Sequence, residues 1–187
     1  MNANAMVTVW LDVAKEYDQE LNDWYEQEHV AHVVGIEGFL TGFRYFCAAA
    51  AHRFLVLYEA RDESVEPGPG FQDMVAHPTP WTVKIRAMFQ RQKRNNYRRS
   101  FDTGVAAVPL AVVIAPATVR PDFSRARRSL QTVPGCTRYR AFEEAGTPNA
   151  WLEVFDFSSA QAAQASGLGS PEQLYQAIGQ PFIRASA

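Results

Sequence analysis

The sequence predicts an α+β protein built from two tandem copies of one strand–helix–strand–strand–helix unit. Three observations predict it: segments with two-residue apolar alternation, segments with helical apolar spacing between them, and an internal repeat. Gly135 follows Gly38 by 97 residues, and Trp151 follows Phe54 by the same 97. That offset lays FLVLYEA (54–60) on WLEVFDF (151–157). It matches Phe54 with Trp151, Leu55 with Leu152, Leu57 with Val154, Tyr58 with Phe155 and Glu59 with Asp156.

In chain order, VTVWLDV (7–13) sets Val7, Val9, Leu11 and Val13 on one side, the period of a half-buried strand. Residues 17–34 carry Leu21, Trp24, Tyr25 and Val33 at helical spacing, with Gly35 as the stop. FLTGFRYF (39–46) and HRFLVLYEA, ending at Ala60, read as strands joined across CAAAAH. EPGPG (66–70) breaks the pattern, and FQDMVAH (71–77) begins a second helix. In the second half, LAVVIA (110–115) reads as a strand and Asp122 caps a helix over 123–131. SPEQLYQAI (170–178) reads as a helix with Ser170 as N-cap and Pro171 at the first helical position. The second half is about five residues shorter between its first strand and first helix.

A βαββαβ-type order gives one antiparallel sheet with helices on one face and the other face bare. Two such sheets on one chain bury their bare faces by packing together or by closing into a barrel. The first unit spans 1–103 and carries the candidate site and a basic linker; the second, degenerate unit spans 104–187. Two independent α+β domains joined by a linker are the alternative.

At 47% hydrophobic and 20% charged, the chain has enough apolar material for a core. A net charge of −2 gives no global attraction to nucleic acid or an anionic membrane. MNANAMVTVW has neither the basic nor the apolar region of a secretory signal, and no apolar run is long enough to span a bilayer. Cys47 and Cys136 make no disulfide framework and no CxxC spacing. A cytoplasmic protein with free thiols is expected, without nucleic-acid or membrane partners. No dinucleotide fingerprint, P-loop or GxSxG elbow is present, and GPG at 68–70 is a turn.

Trp24-Tyr25-Glu26, then Glu28-His29, then Gly38-Phe39, the basic strand Phe43-Arg44-Tyr45, FLVLYE and HPTPWT (77–82) together form a motif string. It resembles the dimeric α/β-barrel superfamily and, more narrowly, its small EthD-like proteins. The match covers roughly residues 6–99, and the second half only through the repeat. The resemblance implies ferredoxin-like units paired into a barrel, here a pseudo-twofold barrel within one chain, with a pocket between sheet and helices. It implies no single reaction, since members include cofactor-free monooxygenases, cyclases, isomerases, lyases and haem enzymes. Where the motif usually has a proline soon after the histidine, this chain has Ala31-His32. Haem members bind iron through a histidine in the second unit, and 104–187 contain none. No cofactor is therefore expected.

Two of the four histidines lie in NDWYEQEHVAHV (22–33). On a regular helix Tyr25 and His29 share a face, as do Glu28 and His32. His29 is the candidate general acid or base, because imidazole titrates near neutrality. Tyr25 is a hydrogen-bond donor, and Glu28 orients His32. These ligands lie on one helix and would need distant His52 or His77 to complete a metal site, so no metal is expected. Trp24, Trp81 and His77 are candidate pocket walls, the last two held rigid by Pro78 and Pro80. Arg44, inside an apolar strand, would need an anion from Glu or substrate if it faced a barrel interior. RQKRNNYRR (91–99) reads as a solvated link, with Phe89, Tyr97 and Phe101 tucked down and the arginines outward. Arg125, Arg127 and Arg128 read as a wet helix face.

The expected function is a cofactor-independent acid/base enzyme of lyase, cyclase/isomerase or monooxygenase type. It would act on a small aromatic or carbonyl compound in an apolar pocket. The alternative is a non-catalytic small-molecule-binding or structural barrel protein. A fused pair satisfies its own barrel as a monomer, or dimerises further.

Overall fold

The structure is a computed structural model that describes residues 3–104 and 108–184, without the side chains of 125–127, 129 and 131. The strands are β1 (Ala5–Asp12), β2 (Phe39–Phe46), β3 (Phe54–Ala60), β4 (Gln90–Gly104), β5 (Ala111–Ala117), β6 (Cys136–Glu144), β7 (Trp151–Phe157), β8 (Leu174–Ala177) and β9 (Phe182–Ile183). The helices are α1 (Asp18–Trp24), a π-turn (Tyr25–His29) running into α2 (Val30–Gly35), α3 (Pro69–Ala76), α4 (Pro80–Arg86), α5 (Phe123–Thr132) and α6 (Ala160–Ala165).

Among the described residues the strands close into an antiparallel barrel in the order β2-β3-β1-β4-β6-β7-β5-β8, with β8 returning to β2. Eight strands leave an interior that side chains can fill. Alternation divides each strand between two environments. From β1, Met6, Thr8 and Trp10 point into the barrel with Leu55, Leu57, Phe142 and Val154. Val7, Val9 and Leu11 point outward under Trp24, Val30 and Val33. A third apolar cluster lies beneath α5 and α6 around Val113, Tyr139 and Phe157. Each fully buried large side chain contributes roughly 1.5–3 kcal/mol.

The repeat is visible in the hydrogen-bond register. β2 and β3 pair Phe39 with Ala60 and Phe46 with Phe54; β6 and β7 pair Cys136 with Phe157 and Glu143 with Trp151. Every one of these positions is related by 97. Even the bulge recurs, between Phe39 and Thr41 and between Cys136 and Arg138. The repeated glycines sit before these strands with φ +98° at Gly38 and +78° at Gly135, a region L side chains rarely adopt. A Cβ there would also lie 2.6 Å from Val65 Cγ2 or 2.4 Å from Ala162 Cβ.

Several expectations are corrected. The shortening of the second unit lies within its first helix, α5, not ahead of it: five residues separate β1 from α1 and β5 from α5 alike. SPEQLYQAI is a single 3-10 turn (Pro171–Gln173) followed by β8. Ser170 does cap that turn, but Tyr175 is drawn into the barrel, where strand pairing outweighs helical spacing. RQKRNNYRR is not a link but part of the long strand β4, which pairs with β1 and then crosses to β6. Its Tyr97 fills the barrel while Arg91, Lys93, Arg94 and Arg98 stay exposed. Arg128 is exposed, whereas the side chains of Arg125 and Arg127 lie outside the described residues.

Candidate functional site

The π-turn rearranges the predicted histidine face. In an α-helix, side chains turn by 100° per residue, so positions 24 and 29 diverge. A π-turn closes i to i+5 instead, and here the Val30 amide donates to the Tyr25 carbonyl. Trp24 and His29 therefore stack, with centroids 4.0 Å apart and planes at 16°. Tyr25 meets His29 edge-on at 5.5 Å.

This face looks onto a cavity of about 40 Å³ between the helix and the outer face of the sheet. Val7 and Val9 from β1 and Tyr58 from β3 form its floor; Phe71, Met74 and Val75 from α3 form one wall; Arg86, Phe89 and Arg94 close it. Burial, with smaller contributions from the charges of Arg86 and His32, pushes the His29 imidazole down to about 3. It is neutral at physiological pH, and neither ring nitrogen has a hydrogen-bond partner among the described residues. The Tyr58 hydroxyl is buried without a partner. Burial also holds the Tyr25 and Tyr58 phenols well above their ordinary values, so both stay protonated. The Arg86 guanidinium meets only the Val75 carbonyl, at 3.4 Å, and has no carboxylate in ion-pair range among the described residues.

Glu28 does not approach His32. One of its carboxylate oxygens accepts hydrogen bonds from Thr79 Oγ1 (2.6 Å), Thr82 Oγ1 (3.0 Å) and Trp24 Nε1 (3.2 Å). Trp24 Nε1 is shared with Thr82 Oγ1 at 3.1 Å, and Thr79 Oγ1 caps α4 through the Thr82 amide. Glu28 thus clamps the first helix to α4 and fixes the indole under His29. The π-turn also explains why Glu28 and His32 part company, since the spacing rule that paired them holds only for a regular α-helix. His32 is exposed.

The other candidates are dispersed. Trp24 lines the cavity, whereas Trp81 lies outside it and donates to Glu20 at 2.9 Å. His77 ends α3 on the surface, 77% exposed, with Nδ1 3.0 Å from Asp73. Arg44 points toward the helices and not into the barrel. It is 4% exposed, pairs with Glu26 at 3.3 Å, contacts Asn22 and lies over the Tyr25 ring at 4.9 Å. Its anion comes from the protein. Among the described residues, no three His, Cys, Asp or Glu side chains are arranged to hold a metal ion.

Sequence reasoning missed Tyr58 and Arg86. Tyr58 was legible by alternation with Phe54 and Val56, which face the helices. Nothing local to Arg86 signals its role, because only the return from α4 into β4 brings it to His29.

No protein-family profile matches the chain, and no curated protein matches it. Solved structures do match along almost its whole length. A protein from Lactobacillus acidophilus NCFM, provisionally assigned as a monooxygenase, superimposes with TM-score 0.62 at 14% identity, covering 95% of this chain and 94% of that one. An anthrone oxidase-like protein gives 0.62 at 11%, covering 98% and 94%. A monooxygenase-like protein from Listeria innocua gives 0.51 at 11%, covering 94% and 95%. The chain has the ferredoxin-like dimeric α/β-barrel fold. At these identities the likeness is one of fold, and the narrower resemblance to EthD-like proteins rests on the sequence motif alone. In this dimeric α/β barrel both halves belong to one chain, and no helix among the described residues is long and apolar enough to cross a membrane.

Proposed function

We propose that the first unit is the working half of a cofactor-independent acid/base enzyme whose substrate is a small aromatic or carbonyl compound. The carrying observation is that one apolar cavity brings together the buried, unpartnered Tyr58 hydroxyl, the partly buried His29 imidazole, whose proton affinity burial lowers, and a cation without a carboxylate. Apolar walls with a few convergent polar groups suit such a ligand. Tyr58 donates a hydrogen bond to the substrate oxygen, His29 takes an acidic C–H or phenolic proton, and Arg86 faces the resulting oxyanion. An imidazole with so low a proton affinity is a weak base in the empty cavity. The substrate anion formed beside it supplies the missing counter-charge, so proton transfer is favoured only with substrate in place. The names of the structural neighbours favour the monooxygenase outcome for that anion over the lyase or isomerase one.

The cavity holds little more than one water, whose share of liquid volume is about 30 Å³, while a cavity that binds benzene is about 150 Å³. Opening falls to α3, which buries only Phe71 and is the wall with the fewest core contacts to lose.

The test uses anthrone and acetophenone. Hydrogen–deuterium exchange at their acidic C–H is followed by NMR in D₂O, with oxygen uptake measured alongside. Exchange by the native chain that His29→Ala abolishes supports the proposal. Exchange with oxygen uptake selects monooxygenation. The closed cavity and weakly basic imidazole equally suit a non-catalytic binder, and saturable binding without exchange establishes that reading instead.

A further inference from the structure

The interior of the barrel holds a second cavity, of about 180 Å³, on the opposite face of the sheet from His29. Its mouth is apolar, formed by Phe43 of β2, Val108 and Pro109 ahead of β5, and Ile183 of β9. Its floor is charged. Arg140 is 3% exposed and donates from Nη1 to Glu59 (2.7 Å) and from Nη2 to Asp156 (2.5 Å). Arg138 bridges Glu59 (3.3 Å) and Asp102 (2.7 Å), and Asp102 also pairs with Arg99 (2.6 Å). Guanidinium and carboxylate groups balance one for one, so the cluster carries no net charge. The carboxylates Glu59 and Asp156 occupy equivalent positions of the repeat, while Arg138 and Arg140 have no counterpart in the first unit: Thr41 and Phe43 stand at the equivalent positions.

The balance of charge leaves hydrogen-bonding capacity over. Arg140 Nε, in the floor of this cavity, is a buried donor without an acceptor among the described residues; the Tyr45 hydroxyl is another, outside the cavity lining. On the acceptor side, Asp156 Oδ1 takes Arg140, while Oδ2 receives no hydrogen bond from the described residues. A charged ligand would bring an uncompensated charge against an already neutral, desolvated cluster, which is strongly unfavourable. A neutral ligand with one acceptor and one donor would satisfy both leftovers without disturbing the balance. The volume, somewhat above the roughly 150 Å³ that admits benzene, suits one ring with one small substituent.

We propose that the barrel mouth is a second binding site, for a small neutral molecule that joins a carboxamide, or a comparable paired acceptor and donor, to an apolar ring.

Benzamide, benzoate and benzamidine share one shape and differ in charge, so they are the probes. Each is titrated into the full chain and followed by backbone amide shifts in NMR. Benzamide is expected to saturate shifts at Phe43, Arg140, Asp156 and Ile183, with benzoate and benzamidine at least tenfold weaker. Val108→Trp, at an exposed position of the mouth, is expected to weaken benzamide at least tenfold in a folded chain. Arg140→Met should abolish binding where that variant folds, and Val108→Trp decides where it does not. Equal binding of the three probes, no saturable shift at these residues, indifference to Val108→Trp, or shifts confined to Val33 and Phe71 on the helix side would each overturn the proposal. The cluster would then serve only to close the barrel.

Discussion

The indole of Trp24 and the imidazole of His29 lie 4.0 Å apart and nearly parallel because the intervening turn is wound as a π-helix. The indole covers one face of the imidazole and leaves its nitrogens at the edge. It is itself fixed by Glu28 and Thr82. A chain of contacts thus runs from the cap of α4 to the orientation of the one strongly desolvated histidine.

That desolvation makes stability depend on pH with a definite sign. His29 binds a proton near pH 6.5 when unfolded and only near about 3 when folded. Between those values the unfolded chain holds more protons, so this contribution is complete above about pH 6.5 and declines as pH falls, by at most about 1.4 kcal/mol per unit. Urea unfolding at pH 7.5, 6.0 and 5.0 should show a steeper loss for the native chain than for His29→Leu. Parallel losses would show that the imidazole is hydrated.

Glu28→Ala removes the common acceptor of Thr79, Thr82 and Trp24. An expected destabilisation of about 1–3 kcal/mol follows from the stranded buried donors. His32→Ala, four residues on, should change stability by no more than about 0.5 kcal/mol, as exposed substitutions do. Thermal unfolding of both variants measures the contrast, and equal effects would contradict the clamp.

Tyr58→Phe deletes a buried hydroxyl that the folded chain leaves unpartnered. Removing such a group relieves its desolvation penalty, so the variant is expected to be as stable as the native chain or more so, by up to about 1 kcal/mol. The same change should weaken binding of a carbonyl ligand in the helix-side cavity. A destabilised variant in chemical denaturation would reveal a partner for the phenol.

Gly38→Ala and Gly135→Ala are expected to destabilise by similar amounts, about 1–3 kcal/mol each. Both add a Cβ at positive φ and against a neighbour. Equilibrium unfolding of the pair tests whether the two units share one backbone solution; a neutral result at either glycine breaks the equivalence.

The hairpins were legible because the same alternation appears twice at one spacing, and Phe54–Ala60 and Trp151–Phe157 fall where that spacing puts them. Asp122 and Gly35 punctuate α5 and α2 as read. Residues 174–177 escaped because their spacing is helical and only the gap between β5 and β2 makes them a strand. The histidine face was misdrawn for a different reason: a π-turn has no local signature in YEQEH, and it shifts every later side chain around the helix. The ionic cluster was half visible, in the carboxylates Glu59 and Asp156 at matched positions of otherwise apolar strands. Arg138 and Arg140 lie in CTRYRAF with no counterpart in the first unit, so the repeat that revealed the architecture concealed them.

The two junctions that close the barrel are unequal. β4 and β6 run together from Tyr97–Glu144 to Gly104–Arg138, whereas among the described residues β2 meets the far end of the chain in two short stretches, Tyr45–Ala177 with Phe46–Gln176 and Thr41–Ile183 with Gly42–Phe182, extended by the Ile178 amide on the Arg44 carbonyl and the Arg184 amide on the Leu40 carbonyl. A ring fastened so lightly on one side is hinged on the other. Two chains that unclasp there can refasten crosswise, β2 of each chain against β8 of the other, with every native pairing kept. Concentrated protein should therefore hold interlocked pairs that separate only as slowly as this clasp undoes.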